Sequence, residues 1–585
     1  MPEYSPGLVG LPWVGPLSLL FGCLAIGLAA IGCASQRPAH QGEVNLAAGP
    51  EPAPRLAPKP AAHGEHGMVV AAHPEAVDAG IAILAAGGNA FDAAVAIAAT
   101  LNVVEPMNSG VGGYGTILLY DAKTGEVRYL NSSGRIPRAT RADDFRPPAP
   151  DFEKNRRGAK AVSTPGNARA WELLHQRWGS RPWASLFEPA IKAAQNGYVL
   201  TANDAELLGL SFPEFSPEAQ AIYGRAGQPL AAGARLEQAD LAATLRRLAQ
   251  EGAAAIHEGE IARAIAAEME RRGGFLSAAD LAASEAELRP PIEVSYHGVR
   301  VLTAAPPATS YSALYRLGVM EQLELGRFPH NQVEHLHRFA ELTKRGFAVR
   351  VGEAGDPDIA PPRLAELLSP ERFRHDAASL DLKKAQPYQP PGAPQEAIQH
   401  TTHFVVADRW GNVVSATQTL GNLFGSRILV PGTGIWLNNS LAYATFEPAG
   451  NPMDAHPGRH KLSGDCPTFL FRGQKLWAAL GTPGGHTIDQ TIPQVVSSLI
   501  DFGLSLEAAV AAPRIAFAEP DMLLVEESLP AAVQEALKAR GHLPEPMRRI
   551  GNVNALTLDY GEGGQIQKFT GAADPRVDGL ARGLD

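Results

Sequence analysis

The sequence predicts an α+β fold built in layers, because strand-like and helical patterns come in separate blocks. Thr116 to Tyr120 and Glu126 to Leu130 alternate apolar and polar residues on either side of a turn, which is typical of a β-hairpin. Helical patterns then dominate from about residue 165 to residue 380. Strand-like runs return at His403 to Ala407 and Val413 to Leu420. An alternating parallel sheet would instead show a helix between successive strands.

Two helices are predicted before the hairpin. Pro74 to Gly88 has a helical apolar pattern that is closed by Gly87 and Gly88. Asn89 is a good N-cap for a second helix, which runs through Thr100 and is apolar on nearly all sides. A helix without a polar face has no side to turn towards water, so we expect this one to be buried.

The composition excludes some classes of protein. The 585 residues are 45% hydrophobic and 19% charged, which is enough for a large core. The net charge of −10, without a Lys/Arg-rich run, argues against a nucleic-acid partner, because binding phosphate needs a clustered basic surface. Cys23 and Cys33 lie in an apolar leader, so a mature chain would keep Cys466 and no internal disulfide is expected.

Residues 1–35 are predicted to be an export signal or a lipoprotein leader. Pro16 to Cys33 contains no charged residue. The small-residue stretch Leu28 to Ser35 resembles a bacterial lipoprotein cleavage site, in which Cys33 would carry the lipid. Lipid anchoring at Cys33, simple secretion and a retained single-pass membrane anchor stay open. All three place the body outside the cytoplasm, in the periplasm or the cell envelope.

Two segments rich in proline are predicted to be irregular. Residues 36–66 have almost no large apolar side chains, so they are expected to form a disordered tether, with the folded body starting near Met68. Lys384 to Pro394 suits neither a helix nor a central strand and is expected to be an exposed loop. This loop leads directly into a strand-like run that begins near Thr401.

The run Thr401 to Asp408, followed by Gly411 to Leu420, resembles the start of the small subunit of gamma-glutamyltransferases. Further motifs match that family in the same order. They are Gly87 to Val95, Val104-Glu105-Pro106, Gly110 to Gly113, Leu437-Asn438-Asn439, Lys461-Leu462-Ser463, Pro467-Thr468, Gly481 to Gly485 and Ala509 to Ile515. The resemblance spans about residues 67 to 580. It implies a four-layer αββα N-terminal-nucleophile hydrolase fold, in which a large segment, 67–400, and a small segment, 401–585, pair as a heterodimer.

The resemblance also implies self-cleavage before Thr401. The hydroxyl of Thr401 would attack the carbonyl of His400, and water would then open the resulting ester. The freed α-amine of Thr401, with an ordinary pKa of roughly 7.7 to 8.0, can act as the base for its own hydroxyl. By resemblance, Thr419 holds that hydroxyl in line, and the backbone N–H groups of Gly484 and Gly485 form the oxyanion hole. No cofactor is implied.

The sequence departs from the family where the α-carboxylate and the α-amino group of a γ-glutamyl substrate would bind. Arg135 is the expected carboxylate partner, although it is displaced by about two positions from the family's arginine. The other expected substrate-binding positions are Asn422, Ser440, Tyr443, Ser463 and Gly464. Ser440 and Tyr443 stand where the family has its polar partners of the substrate ammonium. Burying an ammonium without an anionic partner is costly.

Three functions follow from this pattern. The first is a gamma-glutamyltransferase that cleaves γ-glutamyl amides such as glutathione and passes the acyl group to water, an amino acid or a peptide. The second is an amide acylase of the same fold for glutaryl-type or poly-γ-glutamyl substrates, whose acyl group carries a carboxylate without a free α-amine. The third is an inactive anchored binding protein, which would require the loss of Thr401 or of the oxyanion glycines, and both are present.

Other motifs are interpreted as structural. Gly110 to Gly115 fits the dinucleotide pattern, but it precedes a strand and lacks the acidic residue about twenty positions on. The pairs His335/His337 and His400/His403 lack a supporting cluster of cysteines or carboxylates, so no metal is predicted. Nothing near Cys466 marks a base that would activate its thiol.

Overall fold

The computed structural model describes residues 56–389 and 400–585. Two seven-stranded β-sheets lie face to face in it, and every neighbouring pair of strands in both sheets is antiparallel. The predicted leader, the first part of the predicted tether and Pro390 to Gln399 lie outside the described residues.

The two sheets are called sheet 1 and sheet 2. In spatial order, sheet 1 consists of Leu580–Leu584, Gly67–Ala71, His400–Asp408, Val413–Gly421, Tyr114–Asp121, Glu126–Asn131 and Glu287–Arg289. Sheet 2 consists of Ala62–Gly64, Ile566–Ala573, Asn554–Tyr560, Lys475–Gly481, Thr468–Arg472, Val299–Thr303 and Ile292–Tyr296. Smaller sheets are formed by Tyr198–Val199 with Arg235–Leu236, Gly224–Arg225 with Gln228–Pro229, Leu429–Val430 with Ile435–Trp436, and Ile515–Ala518 with Met522–Glu526 and Pro544–Met547.

Helices cover the outer face of each sheet. Those that pack on the side of sheet 1 are Pro74–Ala85, Ala90–Val104, Asn167–Trp178, Glu188–Asn196, Ala202–Ser211, Pro217–Tyr223, Ala239–Glu251, Ala254–His257, Gly259–Arg271 and Ala278–Ala282. Those on the side of sheet 2 are Tyr311–Gln322, Val333–Glu353, Leu364–Leu367, Pro370–Ala378, Ile488–Ile500, Leu506–Ala511 and Ala531–Ala539. A short helix, Phe152–Asn155, buries none of its residues. The predicted αββα order of layers is confirmed.

Alternation along the strands explains the layers. In the strand His400–Asp408, Val405 and Ala407 belong to the apolar cluster between the two sheets, whereas Phe404 and Val406 belong to the cluster under the helices. Successive side chains of a strand point to opposite faces, so a strand with both faces buried must be apolar at nearly every position. The run from Phe404 to Ala407 meets that requirement.

The buried helix predicted after Asn89 is confirmed. It spans Ala90–Val104, four residues longer than predicted, and all of its residues are buried. The side chain of Asn89 accepts hydrogen bonds from the N–H groups of Phe91 and Asp92, and Asp92 accepts one from the N–H of Asn89. This capping box satisfies donors that the first turn of a helix leaves free.

Two sequence predictions need correction. The region from about 165 to 380 also contains three strands that complete the edges of the sheets, at Glu287–Arg289, Ile292–Tyr296 and Val299–Thr303. The predicted tether extends to residue 66, but Ala62–Gly64 pairs with Ile566–Ala573. An edge strand is held by backbone hydrogen bonds to its neighbour, so it can form without the large apolar residues whose absence predicted disorder.

The two predicted segments of the chain interleave. His400–Asp408 starts the small segment, and its neighbours in sheet 1 are Gly67–Ala71 of the large segment and Val413–Gly421. In sheet 2, Val299–Thr303 of the large segment pairs with Thr468–Arg472. Cutting before Thr401 would therefore leave two segments joined through both sheets. Within the described residues, no helix is both long enough and apolar enough to span a bilayer.

Candidate active site

Thr401 lies at an irregularity in sheet 1. In the pairing of His400–Asp408 with Val413–Gly421, His400 lies opposite Gly421 and Thr402 lies opposite Gln418, so the register shifts at Thr401. Such bulges turn a side chain away from the direction that the regular alternation would give it. Thr401 is buried, with 4% of its surface exposed.

Two threonines and the carbonyl of His400 form a chain of hydrogen bonds. The hydroxyl of Thr401 donates to the hydroxyl of Thr419 at 3.1 Å, and the hydroxyl of Thr419 donates to the carbonyl oxygen of His400 at 2.8 Å. The N–H of Gly421 donates to the Thr419 hydroxyl at 2.8 Å, which fixes its orientation. The predicted contact between Thr401 and Thr419 is therefore present. Thr419 also contacts the carbonyl that Thr401 would attack, which the sequence did not reveal.

Glycines let the neighbouring backbone approach this pair of threonines. A Cβ on Gly113 would lie 2.4 Å from the carbonyl oxygen of Thr419, and one on Gly115 would lie 2.5 Å from that of Thr417. A Cβ on Gly112 would lie 2.3 Å from the carbonyl oxygen of Trp436. The glycines in the run that fits a dinucleotide motif therefore allow Tyr114–Asp121 to pack closely against the strand Val413–Gly421.

Gly484 and Gly485 form a turn between the strand Lys475–Gly481 and the helix Ile488–Ile500. Their φ angles are 138° and 56°, a region that residues with a Cβ rarely adopt. A Cβ on Gly484 would also lie 2.5 Å from the hydroxyl oxygen of Thr487. Free N–H groups at the start of a helix favour negative charge. Gly484 and Thr401 line the same cavity, as an oxyanion hole requires.

The chain is similar to known proteins along most of its length. The family model described as gamma-glutamyltranspeptidase matches residues 76–584. The glutathione hydrolase proenzyme of Bacillus subtilis (strain 168) is 33% identical over 546 residues, which cover 89% of this chain and 92% of that protein. The chain belongs to the gamma-glutamyltranspeptidase family. It is therefore an enzyme of the N-terminal-nucleophile hydrolase type.

Acylases are similar to the chain as well. The acylase ACY 1 proenzyme of Pseudomonas sp. (strain SE83) is 35% identical over 549 residues, which cover 91% of this chain and 96% of that protein. The crystal structure of cephalosporin acylase from Bacillus halodurans superimposes with a TM-score of 0.82 at 28% identity, covering 92% of this chain and 99% of that one. Both functional hypotheses drawn from the sequence, transferase and acylase, thus have relatives within the gamma-glutamyltranspeptidase family.

A buried carboxyl group supports the strand next to Thr401. Glu105 ends the helix Ala90–Val104 and accepts hydrogen bonds from the Thr402 hydroxyl at 2.5 Å and from the Asn108 amide at 3.0 Å. Burial raises the pKa of Glu105 to about 7, although both hydrogen bonds act in the opposite direction. Glu105 also lines the cavity at Thr401. In the sequence this residue stood out only as part of a motif, and no role was predicted for it.

The histidines on either side of Thr401 are neutral at pH 7. Burial, with help from Arg549 and Arg427, lowers the pKa of His400 to about 4. Burial alone lowers the pKa of His403 to about 3, and its ring packs where a Cβ on Gly481 would lie, 2.2 Å away. Neither ring brings a positive charge to the cleavage point. This agrees with a family mechanism in which the α-amine of Thr401, and no histidine, is the base.

Three of the predicted substrate-binding residues lie together beside the oxyanion turn. A Cβ on Gly464 would be 3.6 Å from both the carbonyl oxygen of Gly485 and the Tyr443 ring. The Tyr443 ring in turn lies 5.5 Å from the ring of His486. The hydroxyl of Ser463 accepts a hydrogen bond from the N–H of Asp465 at 3.2 Å. We call residues 461–465 the recognition loop.

Two further predicted residues have local structural partners. Ser440 is fully buried, and its hydroxyl forms a hydrogen bond with that of Ser163. The N–H of Asn422 donates to the side-chain oxygen of Asn439 at 2.9 Å, and its carbonyl accepts from the N–H of Gly425 at 2.8 Å. The contact with Ser163 explains why position 440 is polar, whereas both contacts of Asn422 are made by its backbone. The contact of both residues with substrate stays a prediction.

Arg135 has an anionic partner of its own. Its guanidinium donates to Glu287 at 3.1 Å and to the carbonyl of Gly458 at 3.4 Å, and half of its side chain is exposed. None of these contacts involves Thr401, Thr419 or Gly484. A substrate carboxylate would have to compete with Glu287, so the predicted role of Arg135 stays a prediction that the geometry does not favour.

The recognition loop also holds two charged residues that sequence reasoning missed. Lys461 and Asp465 are 3% and 2% exposed. The Lys461 ammonium lies 3.1 Å from the centre of the Tyr114 ring, and Asp465 accepts a hydrogen bond from the Thr116 hydroxyl at 3.0 Å. Lys461 was visible as part of a family motif, but its burial depends on the packing of the loop against sheet 1.

The histidines and the cysteine interpreted as structural have packing contacts. The His335 ring packs edge-to-face against the Phe502 ring, and the Nδ1 of His337 lies 2.8 Å from the Nε2 of His542. Burial raises the pKa of the Cys466 thiol to about 12, which makes it a poor nucleophile.

A separate group, Asp356, Asp358 and His460, has ligand atoms within 4.8 Å of one another. His460 already bonds to Asp356 and Glu287, and Asp358 pairs with Arg289. The absence of a metal stays a prediction.

Proposed function

We propose that the protein cuts its own chain before Thr401 and then uses Thr401 to cleave γ-glutamyl amides such as glutathione. The observation that carries this proposal is the chain of hydrogen bonds from Thr401 through Thr419 to the carbonyl oxygen of His400. It brings together a nucleophile, a proton relay and the bond to be cut. The acyl group is then passed to water, an amino acid or a peptide.

Self-cleavage needs no group outside the chain except water. The Oγ of Thr401 forms a bond to the carbonyl carbon of His400, while Thr419 donates a hydrogen bond to the carbonyl oxygen on which negative charge develops. The C–N bond between His400 and Thr401 breaks, and the nitrogen takes the proton that the hydroxyl loses. Water then hydrolyses the ester, which leaves a carboxylate on His400 and a free amine and hydroxyl on Thr401.

Turnover repeats the same chemistry on an external amide. The α-amine of Thr401 accepts the proton of its own hydroxyl, and the Oγ attacks the γ-carbonyl carbon of the substrate. The N–H groups of Gly484 and Gly485 stabilise the oxyanion. The leaving amine takes the proton, and the Thr401 ester remains. Attack by water or by an acceptor amine on that ester restores the hydroxyl.

A second candidate is an amide acylase for glutaryl-type or poly-γ-glutamyl substrates. The polar partners expected for the substrate ammonium are replaced by Ser440, which bonds to Ser163, and by Tyr443, which is buried against His486. The similarity to the Pseudomonas acylase supports this candidate. The two are separated by comparing hydrolysis of a γ-glutamyl anilide with its des-amino glutaryl analogue.

The purified enzyme should form a mass-spectrometric adduct on Thr401 with the preferred acyl group. Preference for the γ-glutamyl anilide supports the transferase, and preference for the glutaryl anilide supports the acylase. Hydrolysis of neither, by protein that has been cut before Thr401, would refute both.

We also propose that the protein is exported by its leader. The support is the uncharged apolar run from Pro16 to Cys33 and the cleavage-site pattern that ends there. If Cys33 carries lipid, Cys33→Ser should move the enzyme from the membrane fraction to the soluble fraction of the envelope. Recovery of the wild-type protein in the cytoplasm would contradict export.

A further inference from the structure

The ammonium of Lys461 is buried without a hydrogen-bond partner. Lys461 is 3% exposed, and its Nζ is among the buried polar atoms of the structure that make no hydrogen bond. A buried ammonium normally forms hydrogen bonds to an anion, because removing its hydration without replacement is costly. A ligand that supplies an acceptor would therefore stabilise this group in the recognition loop.

Lys461 is connected to the threonine pair through Tyr114. Its ammonium lies over the ring of Tyr114, 3.1 Å from the ring centre. Tyr114 lies opposite Thr419 in the register of sheet 1, and Thr419 holds the hydroxyl of Thr401. One aromatic residue thus links Lys461 to the strand that positions the nucleophile. A Cβ on Gly464 of the same loop would lie 3.6 Å from the Tyr443 ring.

Asp465 gives the same loop a buried negative charge. Thr116 donates a hydrogen bond to one carboxylate oxygen at 3.0 Å. Burial raises the pKa of Asp465 and lowers that of Lys461 well below its usual range, and each charge opposes the shift of the other. The loop therefore holds a basic and an acidic side chain that are both poorly solvated, and burial disfavours the charged form of each.

We propose that Lys461 and Asp465 form the receptor for the charged end of the acyl group, with Lys461 binding its carboxylate and Asp465 binding its ammonium. The inference rests on the proposed acyl transfer at Thr401 and adds the residues that select the acyl group. A cation and an anion in one buried loop complement the zwitterionic end of a γ-glutamyl group. A glutaryl group would supply a partner for Lys461 and leave Asp465 without one.

This assignment is consistent with the exposure of Arg135 and with its ion pair to Glu287. The expected carboxylate partner is half exposed and paired with Glu287, so its charge is already compensated. Lys461 is buried and its ammonium makes no hydrogen bond. The substrate carboxylate would thus form its ion pair where water is excluded and the electrostatic attraction is stronger.

Four anilides test the two charges separately. They carry γ-glutamyl, glutaryl, 4-aminobutyryl and butyryl groups, which have both charges, the carboxylate alone, the ammonium alone and neither. The wild-type enzyme should show the highest kcat/KM with the γ-glutamyl anilide. A charged hydrogen bond contributes a factor of about 10 to 150, and this is the expected size of each selective loss.

Lys461→Met removes the ammonium and keeps a side chain of similar length. It should lower kcat/KM for the γ-glutamyl and glutaryl anilides by that factor and change the other two by less than about threefold. Asp465→Asn keeps the acceptor for Thr116 and removes the charge. It should lower kcat/KM for the γ-glutamyl and 4-aminobutyryl anilides and spare the glutaryl anilide.

Equal losses on all four anilides, or an unchanged preference for the carboxylate in Lys461→Met, would overturn the inference. Lys461→Gln is measured in parallel, so that misfolding of one variant leaves the other to decide. Lys475→Met is the matched control, because that exposed ammonium also lies over a tyrosine ring, 5.0 Å from the centre of Tyr560, but outside the loop, so selectivity should be kept. Self-cleavage into two bands reports folding. Wild-type protein that hydrolyses none of the anilides would refute the proposed function, whereas hydrolysis without charge selectivity would refute this inference alone.

Discussion

The threonine pair and the recognition loop are a few side chains apart, but they are built in different ways. Thr401 and Thr419 lie on adjacent strands, and their contact follows from backbone pairing and one bulge. The recognition loop depends on contacts of charged side chains, and their partners come from distant parts of the chain. Lys461 lies over Tyr114, and Asp465 bonds to Thr116.

The difference teaches how much of a site can vary while its chemistry stays fixed. A backbone register holds a nucleophile in place whatever the substrate is. If Lys461 binds the substrate carboxylate as proposed, a charged receptor can be moved by exchanging a few side chains, because Arg135 is paired with Glu287 and Lys461 is buried. This is a physical reason why one family contains both transferases and acylases. Single substitutions in the two regions should differ in their effect on activity or stability. The largest effect is expected from loss of the nucleophile, and the smallest from loss of an exposed charge.

The largest effect is expected from Thr401→Ala. The variant lacks the hydroxyl that attacks His400, so it should stay a single uncut chain and lose all measurable amidase activity. Denaturing electrophoresis and intact mass measure the first result, and anilide hydrolysis measures the second. Wild-type protein that is active while uncut would break the mechanism.

Gly484→Ala should lower kcat by about 100- to 1,000-fold, the usual effect of losing one oxyanion donor. The φ of 138° and the short approach to Thr487 mean that a Cβ must shift the turn. Steady-state kinetics on protein already cut before Thr401 isolates turnover from self-cleavage. Gly473→Ala tests the strain alone, because that glycine has a φ of 61° and no atom lies within 4 Å of the point that its Cβ would occupy. An equal loss of activity in both variants would contradict the oxyanion role.

Glu105 should make stability fall as pH rises. Its pKa is about 7 in the folded protein against an ordinary 4.5, so the folded state binds the extra proton between these values. This contribution to stability is complete below about pH 4.5 and is lost as pH rises through about 7, for a total of about 3 kcal/mol. Urea denaturation of Thr401→Ala, with and without Glu105→Gln, measures it on an uncut chain. A pH dependence that Glu105→Gln leaves unchanged would assign the effect to another group.

Thr419→Val should slow both self-cleavage and turnover by about 10- to 100-fold, because a methyl group replaces the hydroxyl that links Thr401 to the His400 carbonyl. Thr419→Ser keeps the hydroxyl and should restore most of the rate. The time course of the two bands and anilide kinetics measure the two steps. Slower turnover with normal self-cleavage would show that the hydrogen bond to His400 has no part in the first step.

The smallest effect is expected from Arg135→Ala. An exposed ion pair contributes about 0 to 1 kcal/mol, so kcat/KM for carboxylate-bearing anilides should change by less than about fivefold. A rise in KM of about tenfold or more for these anilides alone would return Arg135 to the carboxylate site. It would also remove the contrast between the two charged positions.

The sequence by itself determined the features that depend on local pattern. The helix after Asn89, the hairpin and the strands around Thr401 follow from alternation and capping, which neighbouring residues decide. The αββα order of layers, and the proposed position of the nucleophile, followed from the resemblance to a family. These predictions needed no knowledge of which distant residues meet.

Tertiary structure decided the features that depend on distant partners. Ala62–Gly64 becomes a strand because Ile566–Ala573, near the other end of the chain, offers it an edge of sheet 2. Arg135 forms an ion pair because Glu287 lies beside it. The Lys461 ammonium lacks a hydrogen bond because its loop packs against Tyr114. Local periodicity fixes which face a residue takes, but the solvation and pairing of a long charged side chain are set by whatever the rest of the fold brings next to it.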